Sequence, residues 1–272
     1  MKVFLPYRGE FGFIIMMHAP QVYAEIDKSD EVNLVCCEPG NEALYPTADD
    51  YYHVYHRHDA DRRARTENGF MNEIRKEIIK NYSKIGKNRI KFIKPNPKAP
   101  RKYFIPEPTD FLMRDSIDCD VVVCPRKREY GSDKNWEHWQ KVTDMLIDKG
   151  KKVFAAGAPD SSFDIYTNAG RAWDFSRHLD ASIVGILKSS LVLATDNGVA
   201  HLAVMCGRPL AMIAYKDGLV SPGKDDVGND YWPIKIERFN LENYCDSKIE
   251  VLNWTWDDAQ LVMSELEARE LV

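Results

Sequence analysis

The sequence lacks the features that mark several classes of protein. No apolar run approaches the roughly 18–20 residues that a membrane-spanning helix needs, so no bilayer span is expected. The first residues do not form a charged-then-apolar signal segment with a small-residue cleavage site, which predicts a cytoplasmic protein. The six cysteines (Cys36, Cys37, Cys119, Cys124, Cys206 and Cys245) form no CxxC pair, and several lie in apolar runs. They are expected to be reduced core residues. Metal-ligand spacing is also missing. His53, His56 and His58 cluster in Tyr51-Tyr-His-Val-Tyr-His-Arg-His, but no carboxylate or cysteine completes a set there, and the tyrosine-rich context reads as strand. No metal and no cofactor is therefore expected. Positive charge is not in excess: 37 Lys and Arg stand against 42 Asp and Glu, a formal net charge of −5. That balance gives no general affinity for nucleic acid, and no recognition motif for a specific nucleic acid is present. Internal repeats and low-complexity tracts are absent.

What is present is an ordinary globular composition, 44% apolar and 29% charged over 272 residues, enough for two α/β domains with separate cores. The most informative stretch is Leu191-Val-Leu-Ala-Thr-Asp196-Asn197-Gly198-Val199-Ala200-His201-Leu202-Ala203. Five mostly apolar residues read as a buried strand, Asp-Asn-Gly as a turn, and the pattern from Val199 as a helix. A strand, a short turn and a helix start put free amides and a positive dipole end at one spot, a ready site for phosphate. Asp196 would sit at the carboxyl end of the strand, where open α/β sheets bind ligands. The same pattern also describes a plain N-cap in any α/β protein.

Elsewhere, Lys2–Pro6, Glu31–Cys37, Tyr51–His56 and Arg89–Ile93 read as strands, and Asn41–Tyr45 as a short helix. Phe13–Ile26 reads as a helix with Pro20 as a kink or early break. A further helix is expected over Glu67–Lys84, with Phe70, Met71, Ile74, Ile78 and Ile79 on one face. Asp120–Pro125 is a strand, followed by the basic loop Arg126-Lys-Arg128 and a helix opened by Lys134-Asn-Trp136-Glu-His-Trp139. A turn, strand and loop follow over Lys149–Pro159, then a helix over Leu179–Leu187. Tyr215–Asp230 reads as loop, Tyr231–Phe239 as strand and Trp256–Leu271 as a final amphipathic helix.

Asp196-x-Gly198-x-x-His201-Leu-Ala, then Gly207-Arg-Pro209 and the apolar run Leu210–Ala214, resembles the donor-binding segment of the heptosyltransferase-like GT-B glycosyltransferases, typified by the ADP-heptose:lipopolysaccharide heptosyltransferases. Asn197 stands where that family has Thr or Ser. The order of elements from Asp120 to Ala214 follows the family as well. Arg8-Gly9-Glu10-Phe11-Gly12 is similar to its Gly-Asp loop after the first strand. The resemblance implies a GT-B type α/β fold, two Rossmann-like domains facing a cleft, the N-terminal one reduced. The expected domains are 1–115 on the acceptor side and 116–272 on the nucleotide-sugar side, with a linker between about Pro106 and Ser116.

The function implied is transfer of a sugar from a nucleotide-diphosphate sugar to a hydroxyl of a glycan or lipid-linked glycan, inverting and without a metal. Charge developing on the leaving diphosphate would be met by the amides of Asn197, Gly198 and Val199, with Lys134 and Arg126. By resemblance Asp196 holds sugar hydroxyls and Glu10 is the general base, with Gly9, Gly12 and Arg8 in the acceptor-side loop. An alignment through Gly12 would instead put Phe13 at the base position. His201 supports the loop, approaches the phosphates, or is simply a satisfied half-buried histidine. From Arg57 to Lys102 there are fifteen Lys or Arg and five Asp or Glu. This is either a solvated face or a basic surface for an anionic acceptor such as a glycolipid headgroup, with peripheral membrane association left open. Two other functions stay open, a non-catalytic nucleotide-sugar-binding protein and a nucleotide-sugar epimerase of the same fold.

Overall fold

The computed structural model describes residues 1–7, 11, 14–26, 31–54, 68–96, 99, 101–109, 113–127, 135–195, 197–213, 249–252 and 259–272. They form two compact units, Met1–Tyr103 and Phe104–Val272.

The first unit is built on a four-stranded sheet in the order β3-β2-β1-β4, from β1 (Lys2–Phe4), β2 (Asn33–Cys37), β3 (Asp50–His53) and β4 (Lys91–Ile93). All pairings are parallel, with Val3 opposite Leu34 and Phe92, and Cys37 opposite His53. Parallel strands need crossovers, and the sequence supplies them as helices. The expected helix over Phe13–Ile26 is a π-helical turn, Ile14–His18, running into α1 (Ala19–Ile26). Pro20 lies just after the π-helical turn and has no backbone N–H to donate back into it. Helix α2 (Asn68–Asn81) lays Met71, Ile74 and Ile78 against Val3, Leu5, Leu34, Cys36 and Val54, as its apolar spacing requires.

The second unit carries a five-stranded parallel sheet in the order β6-β5-β7-β8-β9. Its strands are β5 (Val121–Val123), β6 (Val153–Ala155), β7 (Leu191–Thr195), β8 (Leu210–Ile213) and β9 (Ile249–Leu252). The edge strand β9 was not expected from the sequence; the strand expected at Tyr231–Phe239 lies outside the described residues. Strands β5 to β8 are buried throughout, which matches their continuous apolar runs. The helices are α3 (Met113–Ser116), α4 (Trp139–Asp148), α5 (His178–Lys188), α6 (Gly198–Met205) and α7 (Ala259–Ala268). Trp136 and Trp139, both fully covered, meet edge to face at 5.0 Å and fill the core with Val121, Val153, Leu193 and the inner face of α7. Gly185 lets α5 lie flat on the sheet: a Cβ there would stand 2.6 Å from Cδ1 of buried Phe154.

The segment expected to link the domains is grouped with the second unit. Met113 and Ile117 are buried there, and the Thr109 hydroxyl donates to Asp180 at 2.6 Å. Arg177 Nε also donates to this fully buried carboxylate, at 2.8 Å. Five of the six cysteines are buried free thiols, and Cys245 lies outside the described residues. Among the described residues, no helix is long and apolar enough to cross a membrane.

A buried histidine gives the first unit a pH-dependent stability. His18 is enclosed, with Nδ1 2.8 Å from the Tyr45 hydroxyl and its ring stacked on Tyr7. Burial pushes its pKa down to about 4, against a smaller upward pull from a backbone hydrogen bond at Leu5. The folded state therefore binds fewer protons than the unfolded chain between about pH 4 and 6.5. Stability is full above pH 6.5 and falls by on the order of 3 kcal/mol as the pH drops to 4. Urea midpoints at pH 7 and 5 should show this slope for the wild-type chain, and His18→Gln should flatten it. An unchanged slope in the variant would refute the assignment.

Candidate functional site

In the second unit, parallel strands bring the ends of β5, β6 and β7 to one edge of the sheet, where α/β folds collect ligand groups. After β7 comes the N-cap of α6, Asn197. Its Oδ1 accepts from the Val199 amide at 2.8 Å and the Ala200 amide at 3.1 Å. Its Nδ2 donates to Thr195 Oγ1 at 3.2 Å and to Cys124 Sγ at 3.4 Å, so the side chain is fixed from both ends. The second polar atom of this amide ties the helix start to the end of β5. It also refines the expected anion site. The Val199 amide is occupied by the cap, while the cap does not reach the amides of Asn197 and Gly198. Losing a cap of this kind costs about 1 kcal/mol. Asn197→Ala should therefore lower the unfolding free energy measured by urea titration by that amount, and Asn197→Ser should restore most of it. Equal stability of all three would show that the cap contributes nothing.

Arg126, just beyond β5, is 8% exposed, and its guanidinium donates to Asn135 Oδ1 at 2.9 Å. This bond draws the start of the α4 segment to the sheet edge. Lys134, the neighbour of Asn135, lies outside the described residues, as does Asp196. The chain leaving β6 crosses the chain leaving β5: Lys127 N–H donates to Ser161 O at 2.8 Å and Phe163 N–H to Pro125 O at 2.6 Å. Gly157, at φ +144°, permits this crossing, since a Cβ there would lie 2.5 Å from Ser162 Oγ. His201, on the first turns of α6, is 3% exposed and packs within the unit.

In the first unit, the residues expected on the acceptor side, Arg8, Gly9, Glu10 and Gly12, lie outside the described residues, and so does Phe13. The root of their loop is described. Leu5 N–H donates to Ile93 O at 2.9 Å, and Tyr7 stacks on His18. The same sheet edge brings together groups that the sequence did not connect. Tyr45 reaches His18, the Tyr51 hydroxyl donates to Tyr45 O at 2.8 Å, and Glu42 Oε1 pairs with His53 Nε2 at 2.7 Å. Burial pushes the Tyr51 phenol up to about 12, so it stays a neutral donor. No spacing motif marks this group, because parallel pairing across β2 and β3 assembles it. His53 was weighed as a metal ligand with His56 and His58. It ends a strand instead, paired with a carboxylate, and the other two lie outside the described residues. Among the described residues, no three His, Cys, Asp or Glu side chains form a metal-ligand group.

No family model matches the chain, and no curated protein matches it in sequence. Solved structures do match along nearly its whole length. The chain is similar to the E. coli ADP-heptose lipopolysaccharide heptosyltransferase II, with a TM-score of 0.56 at 14% identity, covering 98% of this chain and 98% of that one. A glycosyl transferase family 9 protein from Veillonella parvula gives a TM-score of 0.57 at 13% identity, over 97% of this chain and 90% of that one. E. coli heptosyltransferase WaaC, solved with ADP, gives 0.50 at 14% identity, over 98% and 99%. These likenesses show the fold: a mixed α/β chain with parallel sheets, matching the GT-B heptosyltransferase structures.

Proposed function

We propose that this chain is an inverting glycosyltransferase. It would move a sugar from a nucleotide-diphosphate sugar to a hydroxyl of a glycan or lipid-linked glycan in the cytoplasm. The observation that carries this reading is the start of α6 at the end of β7. A side-chain cap fixes the helix start there, and among the described residues no bond takes the amides of Asn197 and Gly198, which suits an anion. The solved heptosyltransferases of the same fold support the choice of a nucleotide sugar, one of them having been solved with ADP.

Breaking the bond between the anomeric carbon and the diphosphate puts negative charge on the leaving oxygen. Those two amides, the dipole of α6 and the Lys134 ammonium would stabilise that charge. With cations and amides in this role, transfer proceeds without a metal. Arg126 is bonded to Asn135, the residue that follows Lys134 in the sequence. Asp196 would bind hydroxyls of the donor sugar, and His201 would support the turn from within. Glu10 would take the proton of the attacking acceptor hydroxyl, so that a single displacement inverts the anomeric centre.

Titration of the full chain with nucleoside diphosphates tests this reading. One of them should bind, and Lys134→Ala should weaken it by about 1–3 kcal/mol, the worth of a charge-assisted contact. Affinity unchanged by the substitution would remove Lys134 from the site. Failure of every nucleoside diphosphate to bind would sink the donor reading itself.

A further inference from the structure

The amino edge of the first unit's sheet, where α2 ends and β4 begins, is densely basic. From Ile78 to Pro106 the sequence has no Asp or Glu. Lys80, Lys84, Lys87, Arg89 and Lys91 are all exposed there, and among the described residues none of them forms an ion pair. Two successive 3-10 turns, Ser83–Ile85 and Lys87–Arg89, carry three of these side chains. The turns are tied down by backbone bonds. Ile85 N–H donates to Tyr82 O, Arg89 N–H to Gly86 O and Lys91 N–H to Met1 O, each at 3.0 Å. Lys91 also stands in register with Lys2 on β1, so two like charges face each other across the strands. Lys2 Nζ meets only the neutral carbonyl of Glu25, at 3.3 Å. The carboxylate of Asp50 accepts from the Tyr51 amide and the Tyr82 hydroxyl instead of a lysine. Between Lys84 and Lys87 the chain puts Ile85 at the surface, 36% exposed.

We propose that this edge docks on an anionic lipid bilayer, with the five cations at the headgroups and Ile85 between them reaching the acyl chains. Like charges held side by side repel, and an anionic surface relieves that repulsion. The chain as a whole is net negative, at −5, so attraction to such a surface has to come from one local patch. Clustered lysines and arginines beside an exposed aliphatic side chain match the two layers of a bilayer, charge outside and hydrocarbon within. A nucleic acid would call for aromatic faces on which bases stack. The one aromatic ring within this stretch, Tyr82, is half-buried, with its hydroxyl bonded to Asp50. The proposal does not rest on the glycosyl-transfer reading.

The test is co-sedimentation of the full chain with vesicles of phosphatidylcholine containing about one-third phosphatidylglycerol, at about 150 mM salt, where distant charges are already screened. The wild-type chain should sediment with these vesicles and stay in solution with pure phosphatidylcholine. Lys84→Gln, Lys87→Gln and Arg89→Gln together should weaken binding about a hundredfold, or roughly fivefold for each charge. Ile85→Ser alone should weaken it about tenfold, the worth of one inserted aliphatic side chain. Melting temperatures should match the wild type, because the three cations are exposed and unpaired; if the triple variant does not fold, Lys80→Gln with Lys84→Gln replaces it. Lys141→Gln, Lys151→Gln and Lys188→Gln together make the same change of net charge in the second unit and should leave binding intact. Four results would each overturn the proposal: no sedimentation of the wild type, equal sedimentation with neutral vesicles, binding undiminished in the triple variant, or an equal loss in the second-unit control. Undiminished binding in Ile85→Ser would remove the insertion and with it the choice of a bilayer. Tighter binding of an oligothymidylate than of the vesicles, lost in the same triple variant, would make the partner a nucleic acid and overturn the proposal as well. Nucleoside diphosphate affinity is measured separately without vesicles, so this inference and the donor reading stand or fall apart.

Discussion

Glu10→Gln is expected to lower sugar transfer by about 10²–10⁴-fold, the usual effect of losing a general base. Affinity for nucleoside diphosphate should stay at the wild-type value. An amide has the size of the carboxylate but cannot take the proton of an attacking hydroxyl, so the loss should fall on turnover. The placement rests on the chain leaving β1. Its root is held by Leu5 on β4 and by Tyr7 on His18, at the edge of the sheet where α/β folds gather ligand groups. A carboxylate that only braced its loop would give the opposite pattern, a lower melting temperature with turnover per folded molecule unchanged. The same assay decides between the functions left open by the sequence. A binding protein takes up nucleotide and transfers nothing, whereas an epimerase converts the sugar nucleotide with no acceptor present.

Trp139→Ala should cost about 3–5 kcal/mol of stability in the second unit, the largest change expected from a single core truncation. Trp139 is fully buried and stands edge to face with Trp136, on a cluster that also receives α7. Among the described residues its Nε1 has no hydrogen-bond partner, so Trp139→Phe removes volume without breaking such a bond. The Phe variant should lose well under half of what the Ala variant loses. Urea unfolding followed by circular dichroism measures both, and equal losses would mean that the indole N–H matters. The site should respond as well. Trp136 directly follows Asn135, which Arg126 holds, so loosening the tryptophan pair should weaken nucleoside diphosphate binding under conditions where the Ala variant is still folded.

The sequence by itself determined the elements whose causes are local. The buried run Leu191–Thr195, the Asn cap and the helical period from Val199 are short-range effects, and they appear as β7 and α6. The apolar stripe of Met71, Ile74 and Ile78 marked α2 for the same reason. So did the all-apolar runs that became β5 and β8, since a parallel strand covered on both faces needs no alternation. Tertiary structure alone decided what depends on pairing between distant residues. Strand β9 is four residues whose place comes from its register with β8. The turn at Asn197 was legible as a cap, but its second anchor is Cys124, 73 positions away, and that contact helps fix how the amide is turned. Glu42 and His53 carry no motif between them. Parallel pairing of Cys37 with His53 puts the end of β3 beside the turn leaving β2, so their meeting is a property of the sheet. Hydrophobic period and capping act within a few residues and can be read along the chain, whereas register and burial are settled only when distant segments pack together.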